Sequence, residues 1–210
     1  MNRSGQLLVT HPLDRGYVDC KPVSRIYAVP SNTSGLCCIM NQRDRVRGVD
    51  LLCYHCTRNV AYYRAGCADG VFVSNDDFWI NANSNLLDTS VLEWCKLFGE
   101  WKGKHHWQRV VPKPATFLHD LCEGIRVTED AFNAHRNEMK TYRNKFVAHL
   151  DAGRLMRIPS LTMVVDSAVF LGDLVRNEYQ EFLPDDALPN LRSYYEERFE
   201  HGRSHYPNAT

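Results

Sequence analysis

The 210-residue chain carries 25 Lys+Arg against 25 Asp+Glu, so it has no global field to draw in nucleic acid or an anionic membrane. With 44% hydrophobic and 24% charged residues it has an ordinary globular composition, long enough to bury a sizeable core. The eight cysteines and the lack of a signal-peptide-like apolar run near the N-terminus point to reduced thiols and a cytoplasmic protein. No membrane span is expected, since the most apolar stretch, 161–175, is short and interrupted by Asp166 and Asp173.

Residues 1–35, with Pro12, Pro22, Pro30 and the turn-forming run 31–35, read as an irregular N-terminal arm with a short strand at 6–9. A long helix is predicted from residue 36 or 42 to 67. Its stripe of Val46, Val49, Cys53, Cys56, Val60, Tyr63 and Cys67 repeats 3-4-3-4-3-4 and stops at Asp69-Gly70. Cys53-Tyr54-His55-Cys56 invites a zinc or redox reading. Both thiols fall in phase with Val49 and Val60, however, and no second well-spaced pair exists, so core packing is preferred and no metal or cofactor is expected.

A second helix is predicted over 75–98, broken by Gly99 and Gly103. The loop 99–114 interleaves Trp101 and Trp107 with Lys102, Lys104, His105, His106 and Arg109. It reads first as a solvated basic loop whose tryptophans pack back on the helices, and second as the best local candidate for RNA contact. A short helix over 115–124 follows. Thr128 is a natural N-cap, with Glu129 and Asp130 in the first turn, for a helix reaching about His149. The last long helix is predicted over 159–182, and residues 184–210 form a polar tail with a short helix at 188–200. The simplest architecture is an all-α, up-and-down four-helix bundle over 36–183.

The chemistry concentrates in the helix that starts at Thr128. At 100° per residue Phe132, Met139, Phe146 and Leu150 share one face, and Arg143 falls near its middle. A guanidinium among apolar neighbours is costly unless it is paired, hydrogen-bonded or presented at an interface. The bland explanation is an ion pair with a carboxylate from another helix, or a side chain that snorkels to water. His149, six residues on, would lie about 120° round and about 9 Å along a straight helix. One protomer therefore aligns the two poorly, which favours a site assembled at a dimer seam.

The run Tyr142-Arg143-Asn144-Lys145-Phe146-Val147-Ala148-His149-Leu150-Asp151 resembles the R-(x)4–6-H signature of HEPN domains, and the string RNKFVAHLD resembles their abortive-infection, AbiU-type branch. The resemblance implies a metal-independent endoribonuclease for single-stranded or loop RNA, in phage defence or a toxin-like role. It implies a homodimer with Arg143 and His149 catalytic, Asn144 and Asp151 supporting, and an antitoxin protein as a further partner. Asp151 stands where some HEPN toxins carry a tyrosine that receives AMP, so control by AMP transfer is not expected. The alternative is a non-catalytic HEPN-type module that binds a nucleotide or a protein.

Overall fold

The computed structural model describes residues 41–68, 71–147, 158–183 and 190–206, and these are mostly helical. The expected arm at 1–35 lies outside the described residues, as do His149, Leu150 and Asp151.

Helix α1 (Gln42–Ala65) starts where Asn41 accepts a hydrogen bond from the Asp44 N–H at 2.8 Å. Its predicted stripe is buried at Val46, Val49, Cys53, Cys56 and Val60. Asp50, Thr57 and Asn59, on other faces, are buried too, because α1 packs along three helices: α2 (Asp77–Trp94), α5 (Leu161–Glu178) and α6 (Leu191–Arg203). Cys53 and Cys56 are free thiols in the core, and burial pushes both well above the ordinary thiol range. After α1, Cys67–Ala68 (β1) and Val71–Phe72 (β2) form an antiparallel pair with Cys67 opposite Phe72. This small hairpin is an addition to the expected all-helical chain.

Helix α2 is capped by Asp76, which accepts from the N–H groups of Phe78 and Trp79 at 2.9 and 3.4 Å. It ends in a π-helical turn, Cys95–Gly99. Trp94, fully buried, donates its indole N–H to Ser167 of α5 at 2.8 Å and packs with Phe98 and Phe132. The basic loop that follows is pinned by Trp107, whose ring lies 4.5 Å from that of Phe117, and by a 2.7 Å bond from the Tyr179 hydroxyl to the Val110 carbonyl. Trp107 thus packs back as expected. Trp101 does not, being 66% exposed.

Helices α3 (Pro114–Gly124) and α4 (Glu129–Tyr142) follow, with proline in the first turn of α3 and Thr128 accepting from the Ala131 N–H at 3.1 Å. Phe132, His135, Met139 and Tyr142 give α4 a buried stripe at 3-4-3 spacing.

Contacts fix the directions. Asn59 meets Glu93 while Cys67 lies near Asn83, and Arg64 meets Thr162 while Asp50 meets Arg176, so α2 and α5 run antiparallel to α1. Phe132 packs on Trp94 and Tyr142 bonds Asp88, so α4 runs antiparallel to α2. The helix expected in the tail, α6, instead packs along α1 and runs parallel to it. Its Leu191 is fully buried near Gly172 and Cys53, and its Gly202 sits against Ala65 and Tyr62. A Cβ on Gly172 would strike the Leu191 side chain and lie 3.2 Å from the Cys53 Cβ. Gly172→Ala should therefore destabilise the fold by about 1–3 kcal/mol in urea unfolding, and a neutral result would mean that α6 is held elsewhere.

Two buried histidines couple the fold to pH. His135 packs edge-on against Trp94 at 5.2 Å, with its Nε2 buried and unpartnered among the described residues. Burial pulls its pKa down to about 4. His106 is likewise pulled down to about 4, chiefly by burial. An unfolded histidine titrates near 6.5, so each contributes stability that is full above that pH and is lost as pH falls towards 4, up to about 3 kcal/mol apiece. Glu93, raised to about 7 by burial, acts in the opposite sense, its contribution being lost as pH rises from about 4.5 to 7. His55 and His105 are lowered too and act with these histidines, while the raised Asp50, Asp88 and Asp173 act with Glu93, so the share of His135 itself is a fall in stability between pH 6.5 and 4. In denaturant titrations His135→Phe should reduce that fall, and a variant with the parent's pH dependence would contradict the assignment.

Candidate active site

Arg143 stands at the C-cap of α4, where the chain leaves the α-helix for a second π-helical turn, Arg143–Val147. A π turn closes i→i+5 bonds and is wider than an α turn. The straight-helix phase and rise therefore do not hold over Arg143–Val147. The turn sits on a firm base. Tyr142 is buried and donates its hydroxyl to Asp88 on α2 at 3.2 Å, and burial raises the Tyr142 phenol and the Asp88 carboxyl alike.

The Arg143 guanidinium is held on two edges. Nη1 pairs with Oε1 of Glu100, while Nε and Nη2 both donate to Oδ1 of Asn144, at 3.1 and 3.0 Å. Arg143 is thus paired with an acid, as the bland explanation supposed, but the acid comes from the loop after α2 and not from another helix. Glu100 directly follows the first π turn, its N–H bonded to the Cys95 carbonyl at 3.0 Å. Helix α4 packs on the first π turn and α2 on the second, so the two widened helix ends bring Glu100 and Arg143 together. The pair is unequal in burial: the arginine side chain is 18% exposed and the glutamate 48%. Beneath it Cys95 is fully buried, and its thiol is pushed up to about 11, mainly by burial, with Arg143 and Lys140 pulling it down and Glu100 pushing it up.

Arg143 and Asn144 are therefore brought together, and Asn144 is exposed. His149 and Asp151 lie outside the described residues. In the basic loop Lys102, Lys104 and Arg109 are exposed, and the Lys102 ammonium lies 5.0 Å from the Trp101 ring centroid. His105 is half-buried, its ring lying over Gly48 of α1.

His106 must be removed from the set of RNA contacts expected from this loop. Its ring is 2% exposed, with Nδ1 accepting from the Gln108 N–H at 3.4 Å and Nε2 facing the Phe98 carbonyl at 3.4 Å. That geometry fixes a neutral ring with its proton on Nε2, used to hold the loop and not to stack on a base.

Glu100 was missed in the sequence. Its only signal there is an acid placed directly after the Gly99 break, and nothing in the spacing ties residue 100 to residue 143. Among the described residues no group of three or more His, Cys, Asp and Glu side chains could hold a metal ion. No described helix is long and apolar enough to cross a membrane.

The guanidinium retains binding capacity. Three of its five N–H donors are engaged by Glu100 and Asn144, and two remain without a partner among the described residues. Asn144 and Lys145 beside it are exposed, so the group can present to an oxyanion from the solvent side. No family model matches the chain, and neither a curated protein nor a solved structure is similar to it.

Proposed function

We propose that the chain is a metal-independent endoribonuclease of HEPN type, acting as a homodimer on single-stranded or loop RNA in phage defence or a toxin-like role. The observation that carries this reading is the Arg143 guanidinium, oriented at a helix end by Glu100 and Asn144 with two donors to spare. The alternating directions of α1, α2, α4 and α5 support a HEPN-like bundle as its frame. In the proposed reaction the RNA 2′-hydroxyl attacks its own phosphate and leaves a cyclic phosphate. Arg143 stabilises the charge growing on the phosphate oxygens, and His149 exchanges the proton. Asn144 and Asp151 support the pair, and the second protomer supplies its own Arg143 and His149 to the cleft.

A second reading is favoured by Glu100. A carboxylate already seated on the guanidinium competes with a phosphate, as expected of a module that binds a nucleotide or protein without cleaving RNA.

The magnitudes separate these readings from a merely structural role for Arg143. An ion pair with a half-exposed carboxylate contributes about 0–1 kcal/mol. Arg143→Ala should therefore melt within a few degrees of the parent protein. Incubated with total RNA in EDTA, Arg143→Ala and His149→Ala should each lose about a hundredfold or more in cleavage rate, about 2.7 kcal/mol of barrier. Equal cleavage by all three proteins would reject the nuclease reading. Saturable, Arg143-dependent RNA binding with no cleavage would favour the second, and an unfolded Arg143→Ala would return the residue to the scaffold.

A further inference from the structure

A second cluster of polar side chains lies where α1 meets the end of α2 and the basic loop. Gly48, Leu52, His55 and Asn59 recur every three or four residues and so share a face of α1. Opposite them stands Glu93 of α2, 7% exposed, whose Oε2 accepts from Asn59 Nδ2 at 2.9 Å and whose Oε1 lies 3.4 Å from His55 Nδ1. The carboxylate is thus saturated from below and orients an imidazole that is itself 36% exposed. With Nδ1 turned to Glu93, Nε2 is the His55 nitrogen left to solvent.

Cations surround that nitrogen. Arg58 follows His55 by one helical turn, and Lys96 follows Glu93 by the same interval on the facing element. Burial lowers His55 and both cations lower it further, favouring its neutral ring, while the same cations offset part of the rise that burial imposes on Glu93. Lys96 and Lys104 act in the same way on His105, whose ring occupies the space left by Gly48, with Nδ1 buried and unpartnered among the described residues. None of Arg58, Lys96 and Lys104 forms an ion pair with another described residue. Arg58 and Lys96 beside the oriented His55, with Lys96 and Lys104 beside His105, make a cationic cluster that suits a multiply charged oxyanion better than a single carboxylate.

We propose that His55, Arg58 and Lys96, backed by the Glu93–Asn59 pair and flanked by His105, form a phosphate-binding site. It takes a phosphoryl group, either free or within a nucleic-acid backbone. The site uses neither Arg143 nor His149 and does not rest on the nuclease reading.

The test is a histidine side-chain NMR titration of the full chain at pH 7 with inorganic phosphate, at ionic strength held constant with chloride. The His55 and His105 ring signals should shift saturably, while that of His119, exposed on α3 beside Glu129, should not. Lys96→Ala, at an exposed position, should weaken binding about tenfold or more, and Arg58→Gln should do likewise. A parallel titration with a short single-stranded deoxyoligonucleotide, which lacks the attacking 2′-hydroxyl, identifies the source. Tighter binding per phosphate supports a backbone phosphate, and equal binding a free one. Shifts no larger than in chloride alone, or an affinity indifferent to both Lys96→Ala and Arg58→Gln, would overturn the proposal.

Discussion

Enclosure of α1 on three sides is the constraint from which the rest follows. A helix covered by α2, α5 and α6 cannot keep a purely polar face, so its polar residues must find partners inside the protein. Asp50 does so through a two-pronged pair with Arg176 of α5, at 2.8 and 3.0 Å, and that guanidinium also lies 4.6 Å from the Tyr54 ring centroid. Asn59 does so through Glu93 of α2. Breaking such a pair strands a buried charge, whereas an apolar replacement of both partners need cost little. These pairs are better read as fixing which helix lies against which face of α1 than as a large net source of stability.

The same enclosure governs the helix ends where the chemistry gathers. Helices α2 and α4 lie antiparallel, and each finishes in a π turn that packs on the other helix. Below them the aromatic group of Trp94, Phe98 and Phe132 and the Tyr142–Asp88 bond fix the two helices. Above them Arg143 meets Glu100. A widened turn holds its side chains in positions that a regular helix would not offer, and such turns recur at functional sites. That regularity favours reading the Arg143–Glu100 contact as part of a site, and the half-exposure of Glu100 limits what the contact can do for stability.

Periodicity made much of this legible in the sequence. The stripe of α1, the N-cap at Thr128, the burial of Cys53 and Cys56 and the solvent-facing lysines of the loop all follow from local pattern, and the structure places them accordingly. What was not legible depends on pairing across the chain. The sequence 67–72 contains Asp69-Gly70, which signals a hairpin as readily as a helix stop. Helix α6 has a low apolar content and reads as a tail, but it is seated by Leu191 in the space above Gly172, by Gly202 against Ala65, and by the Tyr54–Tyr194, Arg64–Tyr195 and Arg192–Asp166 contacts. His106 looked like a basic-loop ligand because its composition matches that of its neighbours. Its burial is decided by the Phe98 carbonyl, which no spacing rule predicts. Glu93 escaped notice for a related reason, since an acid inside an apolar stretch declares itself only once Asn59 and His55 are seen across from it.

Net charge is the last place where a global property hides a local one. The equal totals of acidic and basic residues argue against indiscriminate attraction of nucleic acid, but at physiological salt a charge is felt over only about 8 Å. Within that range of the α2 end the balance is not even. Lys96, Lys102, Lys104 and Arg143 fall on the π turns and the loop between α2 and α3, with Lys140 in the last turn of α4, while Glu100 is exposed and Glu93 of α2 is buried with its oxygens engaged. The acids that offset them lie elsewhere, as at Glu196, Glu197 and Glu200 of α6. A neutral chain can therefore hold a confined basic surface, and recognition there would depend on the spacing of phosphates at that surface and not on long-range capture.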